Sequence, residues 1–482
     1  MSLDPTTFKT IVPSRYITFR IPNPIIHLHH FNASQLRIAV LDSSVPSDPL
    51  QIAAMLVPVN RESDWYFSTE QGHRQLLVNF PHLSRLIVIG NLPNSPNPVS
   101  YNKKNLQLAG VVDLSVVEEN LMPLLIELLP IQTLRRTGGG IRSDETFCRT
   151  SGGLVEVPYL KYEDEVVRSL VLERCVGDLV GEMLVEDVEL ELENGSGREF
   201  RRRLRFKRMP NLVQTQIKIR PKKVDLVDME EMEFEIVDDG VLVHPYFNPM
   251  VAGLSVIESF LDAKIGNGIK PKALCLGVGG GALLGFLSSQ LGFHVLGIEV
   301  DNVVLQVARR YFGLEHGNFV HLCVGDALEM IGKFATQLES DGFCGYVLEN
   351  GECLDDFDGK FDVIMADLDS GDASIGMSAP PMEFVEKSIL LATRTLLSKD
   401  GVVIINVIPS DQSYYKLVMI ELQEVFAELY EIDVGNGDNF VLIASASETG
   451  HVSSHHQAKF LKKLRQVSGS YVDSIRIVQH ME

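Results

Sequence analysis

The sequence predicts an α/β protein whose residues 241–482 form a doubly wound, Rossmann-like domain, and three observations lead there. First, the apolar run Ala273–Leu276 ends directly in Gly277-Val278-Gly279-Gly280-Gly281, a buried strand meeting a tight turn. Glycine has no Cβ, so backbone there can take positive φ and lie against a ligand. Second, Ala282–Leu291 carries Leu283, Leu284, Leu287 and Leu291 on one helical face, and Gly292 stands where a helix-ending glycine belongs. A second apolar strand, His294–Ile298, then ends at Glu299. Third, strand and helix go on alternating to about residue 444. Strand, glycine turn, helix, strand and acid form the nucleotide-binding unit of such a sheet, with the acid accepting hydrogen bonds from a ribose diol. A glycine turn alone can merely pack a helix on a strand; Glu299 is what favours a nucleotide. The spacing suits NAD poorly, because the third glycine of G-x-G-x-x-G falls one residue early; S-adenosylmethionine fits as well or better.

The chain has 482 residues, 45% of them hydrophobic, enough for two to three domains. A net charge of −21 disfavours nucleic acid, which needs cationic surface, and suits a basic protein, a basic peptide or a polyamine. The six cysteines (Cys148, Cys175, Cys275, Cys323, Cys344, Cys353) contain no CxxC pair, so neither a zinc site nor a disulfide framework is expected. A reducing, cytoplasmic setting follows. Met1–Arg20 lacks the apolar core of a signal peptide, and no run reaches the length of a membrane span.

In chain order, residues 1–30 read as extended, wrapping structure. Strands at Leu36–Leu41, Met55–Val59 and Arg85–Ile89 alternate with helices at Glu70–Val78 and Val116–Leu129, so residues 1–150 are expected to hold a small α/β domain. Its role would be scaffolding or docking. Trp65, the single tryptophan, is expected to pack. Arg135–Gly153, with Gly138–Gly140, reads as a linker. Residues 151–240 form a β-hairpin segment and an acidic linker: Val188–Leu192, the Asn194-Gly195 turn, Phe200–Phe206 and Leu212–Ile219. Arg201, Arg203, Arg205 and Lys207 share one face of the second strand, expected to be solvated, with a docking stripe as the alternative. Asp225–Asp239 is dense in acids, either a solvated linker or a field that draws in a cationic substrate.

Met250–Leu261 reads as one amphipathic helix leading into the central unit. After Glu299 come a helix at Asn302–Tyr311 and a strand at Phe319–Val324 that ends in Gly325-Asp326-Ala327. Asp326 could accept the adenine amine, cap the following helix, or do both. Strand Phe361–Ala366 runs into Asp367-Leu368-Asp369-Ser370-Gly371-Asp372, which places three carboxylates where open α/β sheets bind ligands. Asp369 and Asp372 are candidates for substrate binding. Ala373–Pro381 is a candidate lid, followed by elements at Glu383–Leu397, Gly401–Val407 and Tyr414–Ala427. Two strands around Gly435-Asn436-Gly437 suggest an antiparallel edge, and His455–Val467 a basic amphipathic helix. Adjacent His455 and His456 would face apart, so no metal site is expected.

LGVGGG, GIEVD, GDA and FDVIMADLDSGD, in this order, resemble the spermidine-synthase-like branch of class I methyltransferases. Residues 61–76 (RESDWYFSTEQGHRQL), 202–216 (RRLRFKRMPNLVQTQ), 248–256 (NPMVAGLSV) and 361–390 sharpen the resemblance to one family. It is the methyltransferase-like protein 13 family, the eukaryotic elongation factor 1-alpha lysine and N-terminal methyltransferases, in its C-terminal part. The similarity runs from about residue 50 onward. That family also has an N-terminal domain that modifies a lysine; with no such domain in these residues, the other activity is expected, methylation of the α-amino group of elongation factor 1-alpha. The resemblance implies that Gly277, Gly279 and Gly281 lie against the methionine and ribose of S-adenosylmethionine. It implies that Glu299 holds the ribose hydroxyls, Asp326 and Ala327 contact adenine, and Asp367 stands beside cofactor and reacting amine as the active-site aspartate. The partner implied is a protein, with neither nucleic acid nor membrane; a homodimer is one assembly the resemblance leaves open.

Two departures stand out. Aminopropyltransferases keep an aspartate where this chain has Ala282, which argues against polyamine synthesis, and many methyltransferases keep an acid where it has Cys275. A non-catalytic cofactor-binding scaffold is a further alternative. Methyl transfer from a sulfonium is an in-line displacement, so alignment supplies much of the catalysis. An α-amine, with a pKa of roughly 7.7–8.0 against about 10.4 for lysine, loses its proton readily, so Asp367 is expected to orient the amine more than to act as a base.

Overall fold

The apolar runs after residue 270 build one eight-stranded sheet. Its strands are Lys272–Leu276 (β1), His294–Glu299 (β2), Val320–Val324 (β3), Phe361–Ala366 (β4), Leu397–Val407 (β5), Glu428–Asp433 (β6), Phe440–Ser445 (β7) and Arg476–Ile477 (β8). A computed structural model describes residues 5–25, 33–92, 100–103, 114–135, 150–151, 154–155, 157–162, 164–192, 197–223, 228–315, 317, 319–340, 343, 345–348, 353–354, 357, 359–370, 379–409, 411–437, 439–449 and 459–479. The strand order is β3-β2-β1-β4-β5-β7-β6-β8. The first five strands are parallel, and β7, β6 and β8 pair antiparallel at the far side. The chain winds outward from β1 through β2 to β3, then returns to the other side of β1 as β4. That reversal leaves a crevice beyond the carboxyl ends of β1 and β4.

Successive side chains of a strand point to opposite faces. Ala273 and Cys275 therefore join a core with Met250, Leu287 and Leu464, and Leu274 and Leu276 join one with Ile331, Phe334 and Leu422. With both faces covered, the strands read as unbroken apolar runs. The helices Ala282–Ser289, Asn302–Tyr311 and Ala327–Leu338 stand where the sequence puts them. Met250–Leu261 does not form one helix: Phe247–Ala252 and Glu258–Gly266 are separated by the 3-10 turn Gly253–Ile257. Gly253 lies so near the sheet that a Cβ would come within 2.9 Å of Ile443, and the tighter winding accompanies that approach.

Residues before the central domain form two further sheets. A six-stranded antiparallel meander comprises Ser100–Asn102, Val166–Gly177, Gly181–Glu191, Arg198–Phe206, Val213–Pro221 and Phe234–Ile236. The Asn194-Gly195 turn lies outside the described residues, but Glu191 and Arg198 on either side of it are paired. Val166–Gly177 escapes a sequence reading because Arg168, Ser169, Glu173 and Arg174 interrupt its apolar pattern. The meander seats Val180, Met183, Leu204 and Phe206 on Val304, Val307 and Phe312. Asp301 reinforces this seam: one carboxylate oxygen accepts from the amides of Leu179 (2.8 Å) and Val180 (3.1 Å), the other caps the helix at Val303 (2.9 Å). The acidic stretch is not a free linker over its described residues, since Glu233 and Glu235 pair with Lys222 and Arg220 across adjoining strands.

The five-stranded N-terminal sheet has the order Tyr16–Pro22, Gln35–Asp42, Arg85–Asn91, Ile52–Leu56, Tyr159–Leu160. Tyr16–Pro22 is thus an edge strand, within the stretch that the sequence read as extended, wrapping structure. Helices Leu114–Glu127 and Glu70–Val78 cover its two faces. Trp65 packs as expected, 5% exposed, with the Arg174 guanidinium 5.3 Å from its ring. Tyr159–Leu160 joins this sheet and Ser100–Asn102 the meander, so the two units exchange strands across residue 150.

The expectation of a solvated arginine face is overturned. Arg205 is 8% exposed and its guanidinium reaches Asp64 of the N-terminal unit at 2.8 Å and Glu186 at 3.3 Å. Arg61 holds the same Asp64 at 2.8 Å. The N-terminal unit covers this face of the meander; of the four residues, Lys207 stays most open, paired with Glu182. Gly138–Gly140, Cys148, Cys344, Asp372, most of the candidate lid, His455 and His456 lie outside the described residues.

Candidate functional site

The crevice at the sheet's reversal opens into a cavity of about 700 Å³. Gly277, Gly279, Glu299, Asp326, Ala327, Asp367 and Asp369 all line it, so seven residues singled out in the sequence converge in space. Gly281 does not line it: at φ +81° it opens helix Ala282–Ser289, and a Cβ would strike Leu314 at 2.7 Å. Its glycine serves packing.

Gly277 shows why this turn cannot carry side chains. It has φ +83°, and a Cβ would fall 2.3 Å from the carbonyl oxygen of Asp367, so the loops after β1 and β4 touch backbone to backbone. Glu299, 7% exposed at the end of β2, accepts from the amides of Val278 and Gly279, both at 3.1 Å through the same oxygen. Burial raises its pKa and those amide bonds oppose the rise. Its other oxygen meets only the Asp301 amide, at 3.4 Å, which leaves acceptor capacity towards the cavity. Asp326 caps helix Ala327–Leu338 through one oxygen, at 2.8 Å from the Leu328 amide and 3.1 Å from that of Glu329, while lining the same cavity. Its capping and ligand-facing roles are compatible.

Asp367 sits at the far side of the turn. One oxygen accepts from Asn406 Nδ2 at 3.0 Å, the other from the Tyr246 hydroxyl at 3.0 Å. Asn439 donates to Asn406 at 3.1 Å and Asn436 to Asn439 at 2.9 Å, so a chain of amides holds the carboxylate in place. Burial pushes the Asp367 pKa up to about 6, against the pull of the Asn406 and Tyr246 bonds. Asp369 is taken up by Arg208, whose Nη2 lies 2.9 and 3.0 Å from its two oxygens. Burial raises the Asp369 pKa, and Arg208 works in the opposite sense.

Tyr246, Asn406, Asn439, Arg208, His244 and Thr215 were not singled out as site residues in the sequence. Asn406 left a signal, a buried amide closing the apolar run of β5. Arg208 and Thr215 both come from the meander, within the stretch 202–216 quoted above. Thr215 accepts from the Gly280 amide at 2.8 Å, so the meander braces the glycine turn directly. Among the described residues no group of three or more His, Cys, Asp or Glu side chains is placed to hold a metal ion, and no helix is long and apolar enough to cross a membrane.

A doubly wound sheet with a glycine turn and acids at its reversal is a Rossmann-like fold of the kind that binds nucleotide cofactors in that crevice. No family model matches the chain. It is similar to the eEF1A lysine and N-terminal methyltransferase of Xenopus laevis, 26% identical over 486 residues, which take in 96% of this chain and 58% of that protein. The Danio rerio protein of the same name is 28% identical over 420 residues, 83% of this chain and 51% of that one. The chain therefore spans little more than half the length of these curated relatives. Among solved structures, human methyltransferase-like protein 13 in complex with SAH is 25% identical with a TM-score of 0.39, covering 47% of this chain and 92% of that one.

Proposed function

We propose that this protein is an S-adenosylmethionine-dependent methyltransferase acting on the N-terminal α-amino group of elongation factor 1-alpha in the cytoplasm. The cofactor, when bound, supplies an electrophilic methyl group on a sulfonium. Glu299 has a free acceptor position for a ribose diol, Gly277 and Gly279 line the same wall, and Asp326 and Ala327 border the rest of it. These residues fit the cofactor. Asp367 accepts a hydrogen bond from the amine and orients its lone pair, held by Asn406 and Tyr246.

One observation favours an α-amine over a lysine. The cavity's titratable groups are weak bases: Asp367 near about 6, and His244 lowered to about 3 by burial and by Arg201 and Arg203. Neither can readily strip an ammonium of pKa about 10.4, whereas an amine of roughly 7.7–8.0 already has a substantial neutral fraction near physiological pH and needs little help to lose its proton. Arg208 also places a cation in the cavity and occupies Asp369, which disfavours a polyamine. Together with Ala282, that weighs against aminopropyl transfer.

The test is incubation with labelled S-adenosylmethionine and purified elongation factor 1-alpha, with the label located by mass spectrometry. Label on the N-terminal nitrogen is expected. Label confined to lysines, or spermidine formed from putrescine and decarboxylated cofactor, would overturn the reading.

A further inference from the structure

His244 lines the same cavity and is 6% exposed, yet neither Nδ1 nor Nε2 has a hydrogen-bond partner. Buried polar side chains in native proteins are nearly always paired, so two orphan atoms on one wall of a cavity call for an explanation. The ring is not loosely held. It packs against Tyr246 with centroids 4.4 Å apart and edge-on to Phe247 at 5.0 Å. Burial lowers its pKa to about 3, helped by Arg201 and Arg203 and opposed by the Gln214 backbone. The imidazole is therefore neutral at physiological pH and carries one donor and one acceptor. Arg208 contributes another orphan atom to the cavity, its Nε.

Tyr246 gives the orphan ring its meaning. Its ring stacks on His244 while its hydroxyl donates to Asp367 at 3.0 Å. One tyrosine thus separates the carboxylate proposed to hold the amine from an unpartnered imidazole. An extended chain advances roughly 3.3–3.6 Å per residue, so a chain whose amine reaches Asp367 would carry its first peptide groups across the width of that one tyrosine. We infer that His244 is a substrate-binding residue that hydrogen-bonds one of the first two peptide groups of the entering chain. The inference rests on the proposed α-amine reading and adds to it what the site recognises: backbone, at the end of an extended polypeptide. A free amino acid or a polyamine has no peptide group to offer.

The experiment compares wild type, His244→Phe and His244→Gln. Phenylalanine keeps an aromatic ring between Tyr246 and Phe247 and removes both nitrogens; glutamine restores one donor and one acceptor. Binding of a short synthetic peptide with the N-terminal sequence of elongation factor 1-alpha is measured by calorimetry in the presence of S-adenosylhomocysteine, alongside steady-state kinetics. His244→Phe is expected to weaken peptide binding and raise KM by about tenfold, with kcat within about twofold. S-adenosylhomocysteine affinity and melting temperature should not fall, and His244→Gln should recover part of the peptide affinity. Wild-type peptide affinity in His244→Phe, or an equal loss of S-adenosylhomocysteine affinity, would overturn the inference while leaving α-amine methylation standing. Wild-type protein that binds S-adenosylhomocysteine but not the peptide would overturn both.

Discussion

Burial raises the Asp367 carboxyl from an ordinary 3.8 to about 6, although Asn406 and Tyr246 both donate to it. Charge at this position is therefore costly, and the sign of the pH effect follows. The folded state binds the proton more tightly than the unfolded chain, so this residue's contribution is fully present below about 4 and is lost as pH rises through about 6. Asp367→Asn removes the penalty. The variant should be more stable than wild type above pH 6, by about 1–3 kcal/mol in urea denaturation, with the advantage vanishing near pH 4. The same substitution should cut methyl transfer by roughly one to three powers of ten, with cofactor affinity nearly intact, because the side chain keeps its shape and an acceptor oxygen but loses the charge. High pH should not restore the rate; full recovery there would make Asp367 a base.

The glycine turn is the element on which cofactor binding rests. Gly279 has φ +53°, lines the cavity, and would carry a Cβ 2.9 Å from Thr215 Oγ1. Gly279→Arg is expected to abolish cofactor binding in calorimetry while far-ultraviolet circular dichroism stays native. Glu299→Ala removes both the free acceptor and the partner of the Val278 and Gly279 amides, and should weaken the cofactor by about 1–3 kcal/mol. Unchanged affinity in both variants would place the cofactor elsewhere. This element was legible in the sequence because local rules write it: an apolar run, glycines at positive φ, a helical stripe and an acid at a strand end. The approach of Leu314 to Gly281 could not be read in the sequence, because a glycine required by packing looks, in one dimension, like a glycine required by a ligand. Asn406, Arg208 and His244 reach the cavity from elements far apart in the chain, and only the strand order brings them together.

At the scale of the whole molecule, the N-terminal unit and the meander are tied through buried charge. Burial alone would raise the Asp64 pKa, but the guanidinium groups of Arg205 and Arg61 more than reverse this and hold it well below the ordinary carboxylate range. Its contribution to stability is therefore present above about pH 4 and lost as pH falls further. Arg205→Met should destabilise the protein by about 3–5 kcal/mol at pH 7, since Asp64 and Glu186 lose a buried partner. The deficit should narrow in acid; a deficit independent of pH would point to lost packing alone. The sequence could not announce this tie, because alternation along FRRRLRF reports which residues share a face and not what covers that face.

Thr215 has a consequence for measurement. Its hydroxyl is the acceptor for the Gly280 amide, so that one proton in the glycine turn is shielded by a side chain of a different sheet. Amide exchange at Gly280 then records how often the meander lifts from the turn, whereas the Val278 and Gly279 amides, bonded to Glu299, record opening within the β1–β2 unit itself. A spectrum that resolves these three neighbours would time the movements of two sheets from a single loop.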